Sequence, residues 1–367
     1  MKKFSVLVVL IAACAGLAFA QGSATIQPPT AIAQNSGTTQ LLITVSPVTD
    51  QIVWAAGTGG TFVVTTDGGN HWTSGVVAGA ENDQFRDVWG VSDKVAYLMS
   101  IGNNTTDFRV WKTRDGGNSW STEYANGVTN AFYDCFGFWT PDRGFTQSDS
   151  VNGVFPDIAT TDGNTWHLIS GNLPPALPGE ASFAASGTCV AVQGEGNGWV
   201  TTGGTTIARI LATKDAGNTW AAYDTPLIAN PSAGGISVAF RDALHGIVGG
   251  GDLSTNTSSD AAVSSDGGQT WTLTNTPPVQ GAIFCVAYVK GLRNNASSNP
   301  DDPFERAVMI TTETEPDYSS GEAAFTPDEG TTWITIPNAS GYWAVAFANP
   351  HAGWFVGNNG SILKVSF

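Results

Sequence analysis

Six aspartates recur in one local setting. Asp67, Asp115, Asp162, Asp215, Asp266 and Asp328 each stand two residues after Ser or Thr and are followed by glycine and then tryptophan, at intervals of 48, 47, 53, 51 and 62 residues. Paired carboxylates can protonate a glycosidic oxygen and attack the sugar carbon, so their abundance makes them catalytic candidates. Their neighbours assign them a different job. A carboxylate can accept hydrogen bonds from the N–H groups of a tight turn, and glycine supplies the positive φ that such a turn needs. Six such units read as structural turns.

Other constellations fall short of chemistry. The nearest approach to a G-x-S-x-G nucleophile elbow, Gly235-Ile-Ser237-Val-Ala239, lacks the last glycine and sits in an apolar run. His71 and His167 flank turn tryptophans, while His245 and His351 precede Gly246 and Ala352-Gly353, with no zinc-ligand spacing. No G-x-G-x-x-G follows a strand pattern, so a dinucleotide site has no support. The acidic stretches at 293–303 and 313–317 lack the D-x-D-x-D order of a calcium loop and read as solvated loops. No cofactor and no metal is expected.

The elements that must position the six aspartates are strands. β-branched and aromatic runs precede the turns, as in Thr61-Phe-Val-Val64 and Arg109-Val-Trp-Lys112, and others follow, as in Trp271-Thr-Leu-Thr274. The repeat length suits one four-stranded propeller blade with its loops, each turn being a hairpin whose tryptophan plugs into the blade. The third unit is one residue short between Asp162 and Trp166, and the sixth carries Pro327 and Glu329, so both turns are expected to be distorted. After Trp333 come three more strand patterns but no seventh turn. The stretch from Thr25 through Val45 is expected to supply the missing outer strand, giving an all-β, seven-bladed β-propeller whose last blade is closed by an N-terminal strand. Glycine-rich 194–204 reads as a mobile hairpin.

These segments resemble the Asp-box, or BNR, repeat of pattern S/T-x-D-x-G-x-T/S-W. With Phe-Arg-Asp-Val near 85, Trp-Lys-Thr-Arg-Asp-Gly-Gly near 111 and Leu-Pro-Gly-Glu near 177, the mature chain is similar over essentially its whole length to bacterial photosystem II stability and assembly factor-like proteins, which are seven-bladed binding proteins. Sialidase and sortilin-type propellers carry the same box. The resemblance implies that the box aspartates lie at the blade periphery, away from the ligand face. A sialidase would need an arginine triad, a Tyr–Glu nucleophile pair and an acidic Asp. The early Arg-Ile-Pro motif is absent, and Arg114 sits in a turn, leaving Arg86, Arg109, Arg143, Arg209, Arg241, Arg293 and Arg306 as candidates.

Met1-Lys2-Lys3, the apolar run to Ala13 and Ala18-Phe-Ala20 before Gln21 form a secretory signal, predicting a signal peptide at 1–20 and one propeller domain over 21–367. Ile11-Ala-Ala-Cys14 also fits a lipobox, with Cys14 as a lipid anchor. No later stretch is long and apolar enough for a transmembrane helix. The protein is therefore expected in the periplasm or secreted, as a monomer. Cys135, Cys189 and Cys285 remain after cleavage; one bridge with a leftover thiol and three small buried thiols both account for them. The net charge of −16 becomes −18 without Lys2 and Lys3, which argues against a nucleic-acid partner.

Propellers bind at the loops that lead into the innermost strands. Repeat phase places these near Phe85-Arg86-Asp87, Phe132-Tyr133-Asp134, Glu180-Ala-Ser182-Phe183, Gly235-Ile-Ser237, Ile283-Phe284 and Tyr342-Trp343. Arg86, Tyr133, Asp134, Glu180, Tyr342 and Trp343 are then the candidate mouth residues, Arg86 pairing with Asp134 or Glu180 if its role is to hold blades together. The function read from the chain is non-catalytic binding of a protein or a cell-envelope glycan by an assembly-factor-like scaffold. The alternative is an exo-acting, sialidase-type glycoside hydrolase.

Overall fold

The computed structural model describes residues 27–101, 107–125, 128–256, 259–291 and 302–367. The segment 1–20 expected to be a signal peptide, with Cys14, and most of the polar stretch around Arg293 lie outside them. The described residues form seven four-stranded antiparallel sheets. The innermost strands are Leu42–Pro47, Gln84–Gly90, Tyr133–Thr140, Val190–Gln193, Ala233–Phe240, Ala282–Tyr288 and Tyr342–Asn349. They touch in chain order, and the first meets the last, so the sheets close into a ring as the repeats require. In the seventh sheet Thr30–Asn35 is the outer strand, paired antiparallel with Ser361–Ser366 from Thr30 opposite Ser366 to Asn35 opposite Ser361. The N-terminal strand thus closes the last blade and removes an exposed edge.

Each sheet runs up and down in simple order. The loops leading into the innermost strands and the loops between second and third strands therefore share one end of the molecule, here the mouth end. The inner hairpins and the repeated aspartate turns share the other, the turn end. Glycine-rich 194–204 is the inner hairpin of the fourth blade and its continuation, with Trp199 and Val200 fully buried. Its tip, Gly194-Glu195, is exposed at the surface, while the strand from Gly198 on is buried, with Trp199 stacked on Phe240 of the fifth blade at 3.6 Å.

The six turns share one hydrogen-bond pattern. Asp115 Oδ1 accepts from Thr113 Oγ1 at 2.9 Å and from the Ser119 amide at 2.9 Å, while Oδ2 accepts from Ser119 Oγ at 2.6 Å. The one-residue deletion in the third turn is absorbed: Asp162 Oδ1 takes the amides of Asn164 at 2.8 Å and Thr165 at 2.7 Å, and Thr165 still donates to Oδ2. The sixth also keeps the pattern through Thr332, although Glu329 adopts φ 54° where the first, second and fifth turns have glycine. Neither expected distortion breaks the turn.

The turn tryptophans pack between blades rather than into their own alone. Trp120 meets Phe62 of the preceding blade at 5.2 Å, Trp220 meets Phe145 at 5.1 Å and Trp271 meets Phe240 within the cluster shared by blades four and five. An indole buries a large apolar area, so one residue per repeat seals one interface.

Candidate functional site

The architecture brings one feature of each inner strand to the channel. In six of the seven innermost strands a β-bulge falls near the mouth end, leaving Ile43, Arg86, Asp134, Ile236, Phe284 and Trp343 without a cross-strand partner in the register. A bulge re-aims the extra side chain. Ile43, Ile236, Phe284 and Trp343 accordingly converge in one apolar cluster, with Trp343 edge-on to Phe284 at 5.2 Å.

At five of the six bulges the side chain of the following residue links to the next blade. Thr44 donates to Asp87 Oδ1 at 3.3 Å, and Asp87 Oδ2 accepts the Phe136 amide at 2.9 Å. Cys135 Sγ accepts the Cys189 amide, Ser237 Oγ the Val286 amide at 2.8 Å, and Cys285 Sγ the Val345 amide. Cys135 and Cys285 therefore stand where other blades place Asp or Ser, as small acceptors in a ring of interblade bonds. Cys135 also forms a disulfide with Cys189, while Cys285 is a buried free thiol. Burial pushes the Cys285 thiol and the Asp87 carboxyl up from their ordinary values.

The fourth blade departs from the others. Its innermost strand begins only at Val190, and residues 183–188 cross the channel instead. The Ala184 carbonyl accepts from Arg86 Nη1 at 2.9 Å, Ser186 Oγ donates to the Phe284 carbonyl at 2.5 Å, and Thr188 Oγ1 meets Ser237 Oγ at 2.6 Å. Ala185 is buried against the four apolar bulge residues. Gly187 lies so close to Asp87 and Thr44 that a Cβ there would come within 2.5 Å of Asp87 Oδ1. This strap roofs the channel. Below it lies a mostly apolar cavity of 120 Å³ lined by all seven inner strands. Repeat phase had set Glu180 to Phe183 at the start of an inner strand. The small residues Ala184-Ala-Ser-Gly-Thr188 were the available signal, since only short side chains fit at a crowded axis.

The six mouth candidates divide accordingly. Arg86, Asp134 and Trp343 are bulge residues at the strap. Tyr133 and Tyr342 precede their bulges and face the blades. Tyr133 is fully buried, stacked on Phe108 at 3.8 Å and donating to the Pro156 carbonyl at 2.8 Å. Tyr342 is half-buried and packs on Phe355. Glu180 is buried in a loop and accepts from Arg209 Nε at 2.8 Å rather than from Arg86. Burial lowers the Arg86 pKa, an effect opposed by the Asp134 charge.

A second group sequence reasoning missed surrounds Asp134. The carboxyls of Asp149 and Asp157 stand close to it, and Asp134 Oδ2 is buried with no hydrogen-bond partner. Burial raises all three, Asp149 to about 6. Asp149 Oδ1 accepts the Ser182 amide at 3.1 Å, at the foot of the strap. An open hollow lined by Asp149, Asn152, Leu177 and Glu180 lies beside them.

No protein-family model matches the chain, and no curated protein matches its sequence. Its fold is similar to that of solved structures. A structure of YCF48 bound to D1 peptide superposes with a TM-score of 0.61 at 16% identity, covering 94% of this chain and 99% of that one. YCF48 from Cyanidioschyzon merolae gives 0.63 at 15%, covering 92% and 98%. A GH74 xyloglucanase from Xanthomonas campestris gives 0.57 at 13%, covering 91% of this chain and 53% of the enzyme. At such identities the likeness is one of fold: the chain is a propeller.

The described arginines do not gather at the channel. Arg109 pairs with Asp83, Arg114 with Glu123 and Arg209 with Glu180, while Arg143 donates to the Ala216 carbonyl. Arg241 and Arg306 do meet beside a Tyr–Glu pair: Glu329 accepts from Arg241 Nε at 2.8 Å, Arg306 Nε at 2.9 Å and Tyr288 Oη at 2.9 Å. That group lies at the turn end between blades five and six. Arg241 also bonds Glu305 and Asp242, and burial drives the Tyr288 phenol far above its ordinary pKa. It is an ion network whose arginines border an open hollow with Asp242, His245 and Glu305, while Tyr288 and Glu329 are not part of that hollow's lining.

Proposed function

We propose that this protein is an Asp-box propeller that acts after export as a non-catalytic, assembly-factor-like scaffold, holding a polypeptide partner on its mouth end. The observation that carries this reading is the character of that end. The arginines Arg86, Arg109 and Arg209 there are each engaged internally, and every described lysine, Lys94, Lys112, Lys214, Lys290 and Lys364, belongs to the turn half. Glu81, Asp224, Asp317 and Glu322 stand exposed on the mouth loops, with the apolar side chains of Val154, Ile207 and Ile228 exposed among them. An acidic rim with apolar anchors suits a cationic, partly apolar polypeptide. The Cys135–Cys189 bridge supports the exported reading, since disulfides persist in oxidising compartments. The peptide held by the similarly folded YCF48 is a precedent for the mode, not for the partner.

Affinity capture from the native envelope fraction, followed by binding of the captured partner to a Glu81→Lys, Asp317→Lys, Glu322→Lys variant, tests the proposal. Binding that weakens at least tenfold and depends on salt is expected. Unchanged binding refutes the assignment of the mouth end. A glycoside panel addresses the hydrolase alternative: turnover lost on changing a channel carboxylate would replace the scaffold reading.

A further inference from the structure

Between the third and fourth blades the mouth end holds a hollow of about 560 Å³. Residues 149–153, from the loop after Arg143–Ser148, form one wall, and residues 176–181, from the loop before the strap, form the other. Backbone bonds tie the walls together: the Ser150 amide donates to the Glu180 carbonyl at 3.2 Å and the Ala176 amide to the Gly153 carbonyl at 3.0 Å. Glu180 Oε2 accepts the Leu177 amide at 2.7 Å, which folds the second wall into a tight turn. The hollow is therefore preformed, and a ligand entering it does not have to order its walls.

Its charge is negative and incompletely answered. Glu180 is paired with Arg209 and adds little to the field. Asp149 stands in the wall with Oδ1 fixed by the Ser182 amide at 3.1 Å. Close to it lies Asp134, with Asp157 beyond, each with a buried Oδ2 that has no hydrogen-bond partner. The cation facing this acidic group is Arg86, whose guanidinium lies by Asp134. The rest of the lining is apolar at Ala176, Leu177 and Pro178. Exposed Val154 follows Gly153 directly, and exposed Ile207 belongs to the fourth-blade loop, joined to the hollow where Ala181 and Gly203 exchange backbone hydrogen bonds at 3.0 and 2.8 Å. A long cationic side chain complements such a wall, with methylenes for its apolar part and a charged head for the carboxylate. An ionised carboxylate has about four acceptor sites, so the Ser182 bond leaves room for that head.

We propose that this hollow is the anchor pocket for an arginine or lysine side chain of the polypeptide partner, with its head at Asp149, its stem along Ala176 and Leu177, and apolar neighbours in the partner's sequence on Val154 and Ile207. The assignment rests on the reading of the mouth end as a polypeptide-binding face and adds the residue class that this face selects.

Titration of the mature protein with acetyl-Leu-Arg-Leu-amide and with its citrulline counterpart, which is isosteric but neutral, tests it through the amide resonances of Gly153 and Gly179. The arginine peptide is expected to bind about tenfold or more tighter than the citrulline peptide. That preference should vanish in Asp149→Asn, which keeps an acceptor for the Ser182 amide, and in Ser150→Lys, which places a competing cation in the hollow. Equal affinity for the two peptides, the absence of any shift at Gly153 and Gly179, or a preference that survives both substitutions overturns the proposal. The captured partner separates this from the broader reading. Affinity lost with the rim variant but unchanged with Asp149→Asn would remove the hollow and leave the mouth end standing; a peptide preference that holds while the partner ignores both variants would do the reverse.

Discussion

Glu329 and Ala216 occupy the same corner of two different turns, and comparing them separates backbone strain from side-chain function. Both sit in the left-handed region, at φ 54° and 55°, where the first, second and fifth turns use glycine. A non-glycine residue there costs about 1 kcal/mol. Ala216 gains nothing visible in return, so Ala216→Gly is expected to stabilise the fold by about 0.5–1 kcal/mol, the unfolded-state entropy of glycine offsetting part of the relief. Glu329 carries the Arg241, Arg306 and Tyr288 bonds. Removing it leaves the buried Arg241 Nε and the Tyr288 hydroxyl without this acceptor, although Arg241 keeps Glu305 and Asp242, so Glu329→Gly is expected to destabilise by about 1–2 kcal/mol despite the same backbone relief. Chemical denaturation of both variants checks the opposite signs; two changes of the same sign would show that strain, or pairing, had been misjudged.

At the scale of the element, the third blade and the strap are tied twice, by the Asp149–Ser182 bond and by the Cys135–Cys189 bridge spanning 54 residues. A bridge closing such a loop typically contributes about 2–4 kcal/mol, chiefly by restricting the unfolded chain. Cys135→Ser with Cys189→Ser should therefore melt several degrees lower than the wild type while retaining β-sheet circular dichroism; an unchanged melting temperature would mean the bridge does not form in solution. The outer strand Thr30–Asn35 makes a second prediction. Its deletion removes six paired residues and the Gln34 acceptor of Trp72 Nε1, leaving Ser361–Ser366 as a bare edge, so the truncated protein should aggregate at concentrations where the full chain remains soluble. Light scattering distinguishes the outcomes. Ring closure by this strand was legible in the sequence because the last three strand patterns lacked a fourth. The turns were legible because Asp, Gly and Trp each have a local reason to be where they are. The strap was not: it replaces a strand without changing the repeat length much, and repeat phase assigns a strand wherever one is due. The bulges were equally hidden, since one unpaired residue leaves no periodic mark, and so the sequence could bring Arg86 and Asp134 to one end but could not separate them from Tyr133 and Tyr342.

The whole molecule places two populations of carboxylates in opposite environments, and this sets its stability against pH. The turn aspartates are ionised and solvated: the His71 amide and side chain hold Asp67 near 2, and Asp115, Asp162 and Asp215 are likewise lowered by turn hydrogen bonds. Their contribution is present above the ordinary carboxylate range and is lost as pH falls through their folded values, but solvent screens it. The interior group behaves oppositely. Burial raises Asp87, Asp134, Asp157 and Asp260, Asp149 to about 6 and Glu313 to about 8. A carboxyl whose folded pKa lies above its unfolded value contributes fully below the unfolded value and loses that contribution as pH rises through the folded one. For Glu313 the window runs from 4.5 to about 8, and its Oε1 has no hydrogen-bond partner that would offset the buried charge. Because the interior carboxyls are desolvated and the turn aspartates are not, the interior term should dominate. The melting temperature is expected to peak near about pH 5 and to fall by roughly 5 °C toward pH 8. Glu313→Gln should remove the part of the decline that Glu313 contributes up to about pH 8 and leave the part from the other buried carboxyls. A melting temperature that rises from pH 5 to pH 8 would mean that the buried carboxyls are relieved by contacts other than those seen, and the acidic optimum would have to be abandoned.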